Sequence, residues 1–310
     1  MGAMFSSICR TLFAVTLLGN LLWSCFCMKI LSVLPLSKKA AQGFSLMLTQ
    51  HAWRAALFFS PWVRRFPAGD IRVEWKPILD YTKAAEAAEA DDNKEAKKQP
   101  VFILGNHTSF FDTMLATAVF PARVLWRCRT YMDHSLFKLP LLGTLCRSIG
   151  HFPVYFKSSE DGVFKVDVDK MEGVERDVDD HLNTGGWLCF FPEGQVNKEP
   201  DKILPFRYGG IKKALKFNAI LVAFVSHGNT KVWPRKISVG GFPGTVRYSV
   251  KALAPEGSVA LVEHLRKDCS DEEREMPDHE LLGRWLRDRM QQQYDDLASG
   301  GMATERLKAD

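Results

Sequence analysis

The sequence predicts an α/β fold in which a central mixed, mostly parallel sheet is flanked by helices, with an N-terminal membrane-associated helical region. Three observations favour this fold. The N-terminus carries a long uncharged apolar stretch, and short apolar segments alternate with amphipathic ones beyond residue 100. Two of the apolar segments end in polar turns, as the strands of a parallel sheet do before a helix.

The composition is typical of an ordered protein with one large core. Of the 310 residues, 46% are hydrophobic and 25% are charged. The net charge of +5 is modest and indicates no nucleic-acid partner. The seven cysteines form neither a CxxC pair nor a zinc-ligand spacing, which predicts reduced thiols, a reducing compartment and no metal site.

Composition also divides the chain into five segments. We expect a membrane anchor over residues 1–39, an interfacial helix over 40–66, a strand plus a charged insertion over 67–99, a catalytic domain over 100–254 and a C-terminal helical extension over 255–310. The charged insertion is predicted because residues 81–99 have almost no large apolar side chain with which to bury a face.

The N-terminal stretch predicts contact with a membrane. Residues 11–28 carry no charge, and with residues 30–36 beyond Lys29 they approach the roughly 20 residues that cross a bilayer. A cleaved signal peptide is the alternative, but no small-x-small site follows, so a retained anchor is preferred. Whether this segment crosses the bilayer or bends back stays open. Gly2 and Ser6 also fit the short myristoylation pattern.

Residues 40–62 predict a second helix, at the membrane interface. Its tryptophans lie near Arg54, Arg64 and Arg65, and indole rings and arginines both favour the headgroup level. A core helix would have the same composition, and the neighbouring anchor favours membrane contact.

Strands and helices alternate further along the chain. The predicted strands are residues 71–75, 102–104, 123–126, 152–156, 187–191, 220–225 and 246–253. The predicted helices are residues 111–120, 135–149, 164–182, 208–217 and 280–297.

The stretch V-F-I-L-G-N-H-T-S-F-F-D, residues 101–112, places His107 and Asp112 at a corner between a strand and a helix. A carboxylate can hold an imidazole in one tautomer, and the imidazole can then take a proton from a hydroxyl. A turn histidine followed by a capping aspartate is the structural alternative, and the spacing alone leaves both open. Ser109 is expected to shape the turn, since no G-x-S-x-G elbow surrounds it.

A second polar corner follows residues 187–191. It begins with P-E-G at residues 192–194 and continues through a basic segment that contains Lys202 and Arg207. Loops at the carboxyl ends of parallel strands share one edge of the sheet, so Glu193 and His107 are expected to face the same crevice.

The two corners resemble the motifs of the glycerolipid acyltransferase family, membrane-associated enzymes with a histidine and an aspartate separated by four residues. N-H-T-S-F-F-D at residues 106–112 matches the first family motif, and F-P-E-G at 191–194 matches the start of F-P-E-G-T-R. Residues 140–154 are similar to the segment that leads into the second motif. The likeness runs from about residue 71 to residue 250, with the motifs in the family's order.

Some positions depart from the family pattern. Gln195 and Val196 stand where threonine and arginine are usual, and Phe156 stands where the second motif ends in arginine. Residues 222–224, V-A-F, lack the usual proline of the fourth motif. The family's arginines help to hold the acceptor's phosphate by bidentate pairing. Arg207, in a segment similar to the family's basic run, is the expected replacement.

The resemblance implies acyl transfer from acyl-CoA, a cosubstrate with no further cofactor, to the free hydroxyl of lysophosphatidic acid or a related lysophospholipid. His107 would take the hydroxyl proton and Asp112 would orient His107. Glu193, Gly194 and Arg207 would bind substrate, with backbone amides near the first two stabilising the oxyanion. A CoA-independent phospholipid transacylase and a non-catalytic membrane lipid-binding protein remain alternatives. The family suggests an endoplasmic-reticulum membrane, with the active site on the cytosolic side.

Overall fold

The computed structural model describes residues 2–90, 99–157 and 165–300. Its helices are α1 (Gly2–Leu31), α2 (Lys38–Phe58), α3 (Ile71–Ala90), α4 (Phe111–Val119), α5 (Ala122–Arg127), α6 (Pro140–Ile149), α7 (Val168–Asn183), α8 (Tyr208–Lys216), α9 (Asn229–Val232), α10 (Ser258–Lys267), α11 (Asp271–Arg274) and α12 (Asp278–Ala298). Its strands are β1 (Val63–Pro67), β2 (Val101–Gly105), β3 (Cys128–Asp133), β4 (Phe152–Val154), β5 (Phe156–Lys157), β6 (Lys165–Val166), β7 (Trp187–Phe190), β8 (Ile220–His227) and β9 (Gly244–Ala254). A 3-10 helix, His134–Lys138, precedes α6.

Seven strands form one sheet in the order β1-β9-β8-β2-β7-β3-β4. The five strands from β8 to β4 in that order run parallel, whereas β9 is antiparallel to β8 and β1 is parallel to β9. The predicted mixed, mostly parallel sheet is therefore confirmed. The central strand β2 is buried along its whole length, because helices cover both faces of a parallel sheet.

Alternate residues of the central strands enter two hydrophobic cores. Ile103 and Val222 pack on one face of the sheet with residues of α1, α2 and α4, which we call the α1 face. Phe102 and Leu221 pack on the other with residues of α7, α8 and α12, which we call the α12 face. This division follows from the two-residue period of a strand.

Helix α1 packs against the rest of the fold along its length. Phe13, near one end, is 0% exposed, and Met28, near the other, is 2% exposed. The opposite side of α1 carries exposed apolar side chains, namely Met4, Phe5, Ile8, Leu12, Val15, Leu18, Leu22, Trp23, Phe26 and Ile30. Among the described residues, α1 is the helix long and apolar enough to cross a bilayer. Its buried side nevertheless belongs to the α1 face of the domain.

The predictions for residues 67–99 were wrong in part. Residues 71–75 begin helix α3, and Trp75 and Ile78 are buried at a helical spacing of three residues. The strand of this region, β1, lies earlier, over Val63–Pro67. Residues 81–90 of the expected insertion continue α3, because Ala, Glu and Lys are strong helix formers. Residues 91–98 lie outside the described residues.

The strand predicted over residues 123–126 was also wrong. These residues form α5, which Pro121 precedes at a position where a proline ring costs no helical hydrogen bond. The strand follows directly as β3, and Cys128 and Thr130 pair with Trp187 and Cys189 of β7.

Candidate active site

The turn after β2 is fixed to the neighbouring strand. The Asn106 side chain donates to the Ser226 carbonyl at 2.9 Å and accepts from the Ser226 amide at 2.9 Å, so it joins the ends of β2 and β8. At Gly105, an added Cβ would lie 2.8 Å from the Phe191 ring. Glycine therefore allows Phe191 to approach the turn.

The structure places His107 and Asp112 in direct contact. Nδ1 of His107 lies 3.1 Å from Oδ2 of Asp112, which also accepts from the amides of Thr108 at 2.6 Å and Ser109 at 2.8 Å. Asp112 thus binds backbone donors, as a cap would, and pairs with the histidine as well. An imidazole that donates from Nδ1 keeps Nε2 as an acceptor. Nε2 of His107 has no hydrogen-bond partner among the described residues, and the side chain is 17% exposed.

Two further contacts hold the turn from the α1 face. The His107 ring stacks on Phe191, with 4.1 Å between centroids and 11° between planes. Ser109 donates from Oγ to the Trp233 carbonyl at 2.6 Å and accepts from the Phe111 amide at 3.1 Å. Ser109 therefore shapes the turn, as expected.

Glu193 joins the two polar corners. Its Oε1 accepts from the His107 amide at 2.7 Å, and its Oε2 accepts from the Leu204 amide and from Asn197 Nδ2, both at 3.0 Å. Glu193 is 2% exposed, and burial raises the pKa of its carboxyl despite the hydrogen bonds from His107 and Leu204. The predicted common crevice is present. Glu193 stabilises the crevice through hydrogen bonds to both corners, and substrate binding by Glu193 stays a prediction.

Gly194 and Arg207 lie together at the rim. Gly194 has a φ of +69°, and an added Cβ would lie 2.8 Å from Cγ of Arg207. Both the backbone conformation and the close contact therefore favour glycine at this position. The Gly194 amide donates to the Phe191 carbonyl at 3.0 Å, so this amide is not free for the oxyanion that the sequence assigned to the segment. Arg207 is exposed and has no ion pair among the described residues.

Two other basic residues near the motifs, Lys157 and Lys213, form ion pairs with α7 and its preceding residue. Lys157 pairs with Asp167 at 3.2 Å and with Asp169 at 3.1 Å. Lys213 pairs with Glu175 at 2.6 Å and also with Asp179 on α7. Arg207 differs from these two lysines, because it has no ion pair among the described residues and lies beside Gly194.

Sequence reasoning missed Asn229, which donates from Nδ2 to Oδ1 of Asp112 at 2.5 Å. The signal was the polar run S-H-G-N at residues 226–229, which ends a buried strand parallel to β2 and therefore reaches the same edge of the sheet. Trp233, whose carbonyl binds Ser109, carried no comparable signal.

An apolar cavity lies among residues of the α1 face, and Phe191 is part of its lining. It has a volume of about 90 Å3, and Phe191 lines it next to His107. Most of its other lining side chains are apolar, including Leu46, Ala116, Phe120, Leu142, Leu145 and Ile149. Among the residues that the structure describes, no His, Cys, Asp and Glu side chains group as a metal site requires.

Comparison with known families finds a match that includes both polar corners. Residues 87–227 match the family model described as acyltransferase. This match contains both polar corners, so the resemblance that their motifs indicated is confirmed over these residues.

A solved structure adds a likeness of fold. The fold is similar to that of PlsC, the 1-acyl-sn-glycerophosphate (LPA) acyltransferase from Thermotoga maritima, with a TM-score of 0.62. The two sequences are 14% identical, and the match covers 96% of this chain and 98% of that one. A search of curated protein sequences found no match to the chain.

Proposed function

We propose that the protein transfers a fatty acyl group from acyl-CoA to the free hydroxyl of lysophosphatidic acid or a related lysophospholipid. The observation that carries this proposal is the His107–Asp112 pair, whose imidazole stacks on Phe191, one of the residues that line an apolar cavity. The pair supplies a base that can take the proton of a hydroxyl, and the apolar lining of the cavity suits a hydrocarbon chain.

The chemistry proceeds without a covalent acyl-enzyme. Nε2 of His107 takes the proton from the acceptor hydroxyl as its oxygen attacks the thioester carbonyl carbon. Asp112 stabilises the imidazolium that results. When the tetrahedral intermediate collapses, the carbon–sulfur bond breaks and the imidazolium returns the proton to the CoA sulfur. The acceptor keeps the acyl group, and the histidine is ready for the next turnover.

Arg207 supplies the positive charge for an anionic substrate group. Its side chain lies over Gly194 at the rim of the crevice and is exposed. A guanidinium binds a phosphate through two parallel hydrogen bonds, which suits the headgroup of lysophosphatidic acid. In this proposal Arg207 takes the place of the arginine that Val196 replaces in the third motif.

A membrane supplies the lipid substrate. The exposed apolar side of α1 and the exposed rings of Phe58, Phe59 and Phe66 form a surface suited to lipid. Both α1 and the cavity belong to the α1 face, so an acyl chain can enter from the side that contacts the bilayer. The location that the family suggests is the endoplasmic-reticulum membrane, with the crevice on the cytosolic side.

The test is an acyl-transfer assay with purified protein in detergent. Labelled oleoyl-CoA is supplied with a panel of lysophospholipids that differ in headgroup, with His107→Ala as the inactive control. Transfer that needs oleoyl-CoA and is fastest to lysophosphatidic acid supports the proposal. Equal transfer from a labelled phospholipid without CoA would favour the transacylase, and no transfer with any pair would contradict the proposal.

A further inference from the structure

Asn229 is a buried amide at the centre of the site. It follows Gly228, which has a φ of +90°, at the start of the short helix α9, and it is 0% exposed. Both hydrogens of its Nδ2 group are used. One donates to Oδ1 of Asp112 at 2.5 Å and the other to Oγ of Ser226 at 2.8 Å.

The orientation of this amide is set by the carboxylate. A flipped side chain would place Oδ1 of Asn229 against Oδ1 of Asp112, and two acceptors in contact repel each other. In the observed orientation, Oδ1 of Asn229 is buried and has no hydrogen-bond partner in the part of the chain that the structure describes. Such an unpaired buried acceptor lowers stability. The contact of Asn229 with Asp112 is therefore present although the unpaired Oδ1 of Asn229 lowers the stability of the fold.

We propose that Asn229 is a positioning residue for the acyl-transfer reaction, acting through Asp112. It occupies Oδ1 of Asp112 and so leaves Oδ2 directed at Nδ1 of His107. This inference rests on the proposed function. Asn229 itself is too deeply buried to contact a substrate, so it affects the reaction only through the carboxylate that it holds.

Several titratable groups surround this contact. His107 and Asp112 come from the turn after β2 and from α4, Glu193 from the loop after β7, His227 from the end of β8, Lys231 from α9 and Tyr294 from α12. A variant must therefore be compared with the wild type at each pH, because these groups contribute to the pH profile of the rate in both proteins.

The first variant is Asn229→Leu, which keeps the volume and removes the donor. We expect kcat to fall on the order of 10- to 100-fold, the range for losing a hydrogen bond to a charged group. The KM values for both substrates are expected to stay unchanged. A fall in the melting temperature with an unchanged kcat of the folded fraction would show a structural role only and would overturn the inference.

The second variant is Asn229→Asp, which has the same shape. When protonated, the new carboxyl group can donate to Asp112 as the amide does, and when ionised it repels Asp112 instead. We expect the ratio of variant to wild-type kcat to fall at least about tenfold as the pH rises through this ionisation. The control Asn183→Asp adds the same charge to an exposed position on α7 and is expected to give a constant ratio. A ratio for Asn229→Asp that is also constant would contradict the inference.

A readout that does not need turnover separates this inference from the proposed function. Diethyl pyrocarbonate modifies unprotonated imidazole, and mass spectrometry of the peptide that contains His107 follows the reaction. Because an added negative charge favours the imidazolium, Asn229→Asp should move the midpoint of His107 modification to higher pH. An unmoved midpoint would overturn the role of Asn229. Absence of acyl transfer by the wild type, together with a moved midpoint, would overturn only the proposed function.

Discussion

At the scale of single residues, His107 has one nitrogen without a partner among the described residues, while the groups around it hold it in place. The side chain of His107 has one open nitrogen, while its amide binds Glu193 and its ring stacks on Phe191. Asp112 is 1% exposed and accepts from donors of the surrounding turn and from Asn229. In the proposed reaction, a base fixed in this way would lose little conformational freedom when the acceptor hydroxyl binds.

We expect Glu193→Gln to weaken both the fold and the reaction. Three donors face the carboxylate, so an amide nitrogen at this place would meet at least one of them. The free energy of unfolding should fall by about 1–3 kcal/mol, measured in urea, and kcat should fall with it. Unchanged stability and kcat would show that the hydrogen bonds of Glu193 support neither the fold nor the reaction.

A pH dependence of stability is expected from His151. Burial first, and then the nearby Arg129 and His181, lower its pKa from 6.5 to about 3. Between those two values the unfolded chain binds the proton and the folded chain does not, so stability falls as the pH drops from 6.5 toward 3.

The measurement is urea unfolding of the wild type and of His151→Asn at several pH values. The asparagine oxygen can still accept from the Thr130 amide, as Nδ1 does at 3.2 Å. Between these two pKa values, His151 makes the free energy of unfolding fall by up to roughly 1.4 kcal/mol for each pH unit of acidification. The His151→Asn variant should lack this part of the pH dependence. The same dependence of unfolding free energy on pH in the two proteins would contradict this role of His151.

At the scale of elements, the loop after α9 connects α1 with the turn that carries His107. The Trp233 ring lies edge-on to Phe13 with 5.9 Å between centroids, and its carbonyl accepts from Ser109. Gly241 has a φ of +96°, and an added Cβ there would lie 2.4 Å from Phe13. Helix α1 is thus a support of the site as well as an apolar surface.

Phe13→Ala should therefore destabilise the protein and slow transfer. Truncation of a fully buried phenylalanine costs about 3–5 kcal/mol of unfolding free energy. The matched control on the same helix is Phe5→Ala, because Phe5 is 55% exposed and its loss should change stability by only about 0.5 kcal/mol or less. Equal effects of the two variants would show that α1 does not support the fold.

The elements also show where sequence reasoning succeeds and where it fails. The buried strand β2 and its polar turn are local patterns, and they were predicted with His107, Asp112, Glu193 and the common crevice. Residues 71–75 alternate in hydrophobicity over too short a length to separate a strand from a helix, so α3 was missed. The contact of Asn229 with Asp112 joins residues 117 positions apart and depends on the order of strands in the sheet.

At the scale of the whole molecule, the cavity and the exposed apolar side of α1 belong to the same face of the sheet. The α12 face is closed by the C-terminal helix, whose Leu282, Leu286 and Met290 are fully buried. The molecule therefore presents one face suited to lipid, and the crevice opens at the edge of the sheet.

The double variant Trp23→Glu and Phe26→Glu should weaken binding to phospholipid vesicles. Both side chains are more than half exposed, so the melting temperature should change little while the apolar surface is lost. Sedimentation with vesicles measures the bound fraction. Val168→Glu, at an apolar position on α7 that is 74% exposed, is the control, and a similar loss with that variant would argue against a membrane-binding α1 face.

Whether His107 is the base of an acyl transfer can be measured by the rate of labelled oleoyl transfer from oleoyl-CoA to lysophosphatidic acid. His107→Ala should lower kcat by about 10²- to 10⁴-fold, the usual contribution of a general base. The exposed His264→Ala should transfer at the wild-type rate. A folded His107→Ala protein that transfers at the wild-type rate would contradict the account.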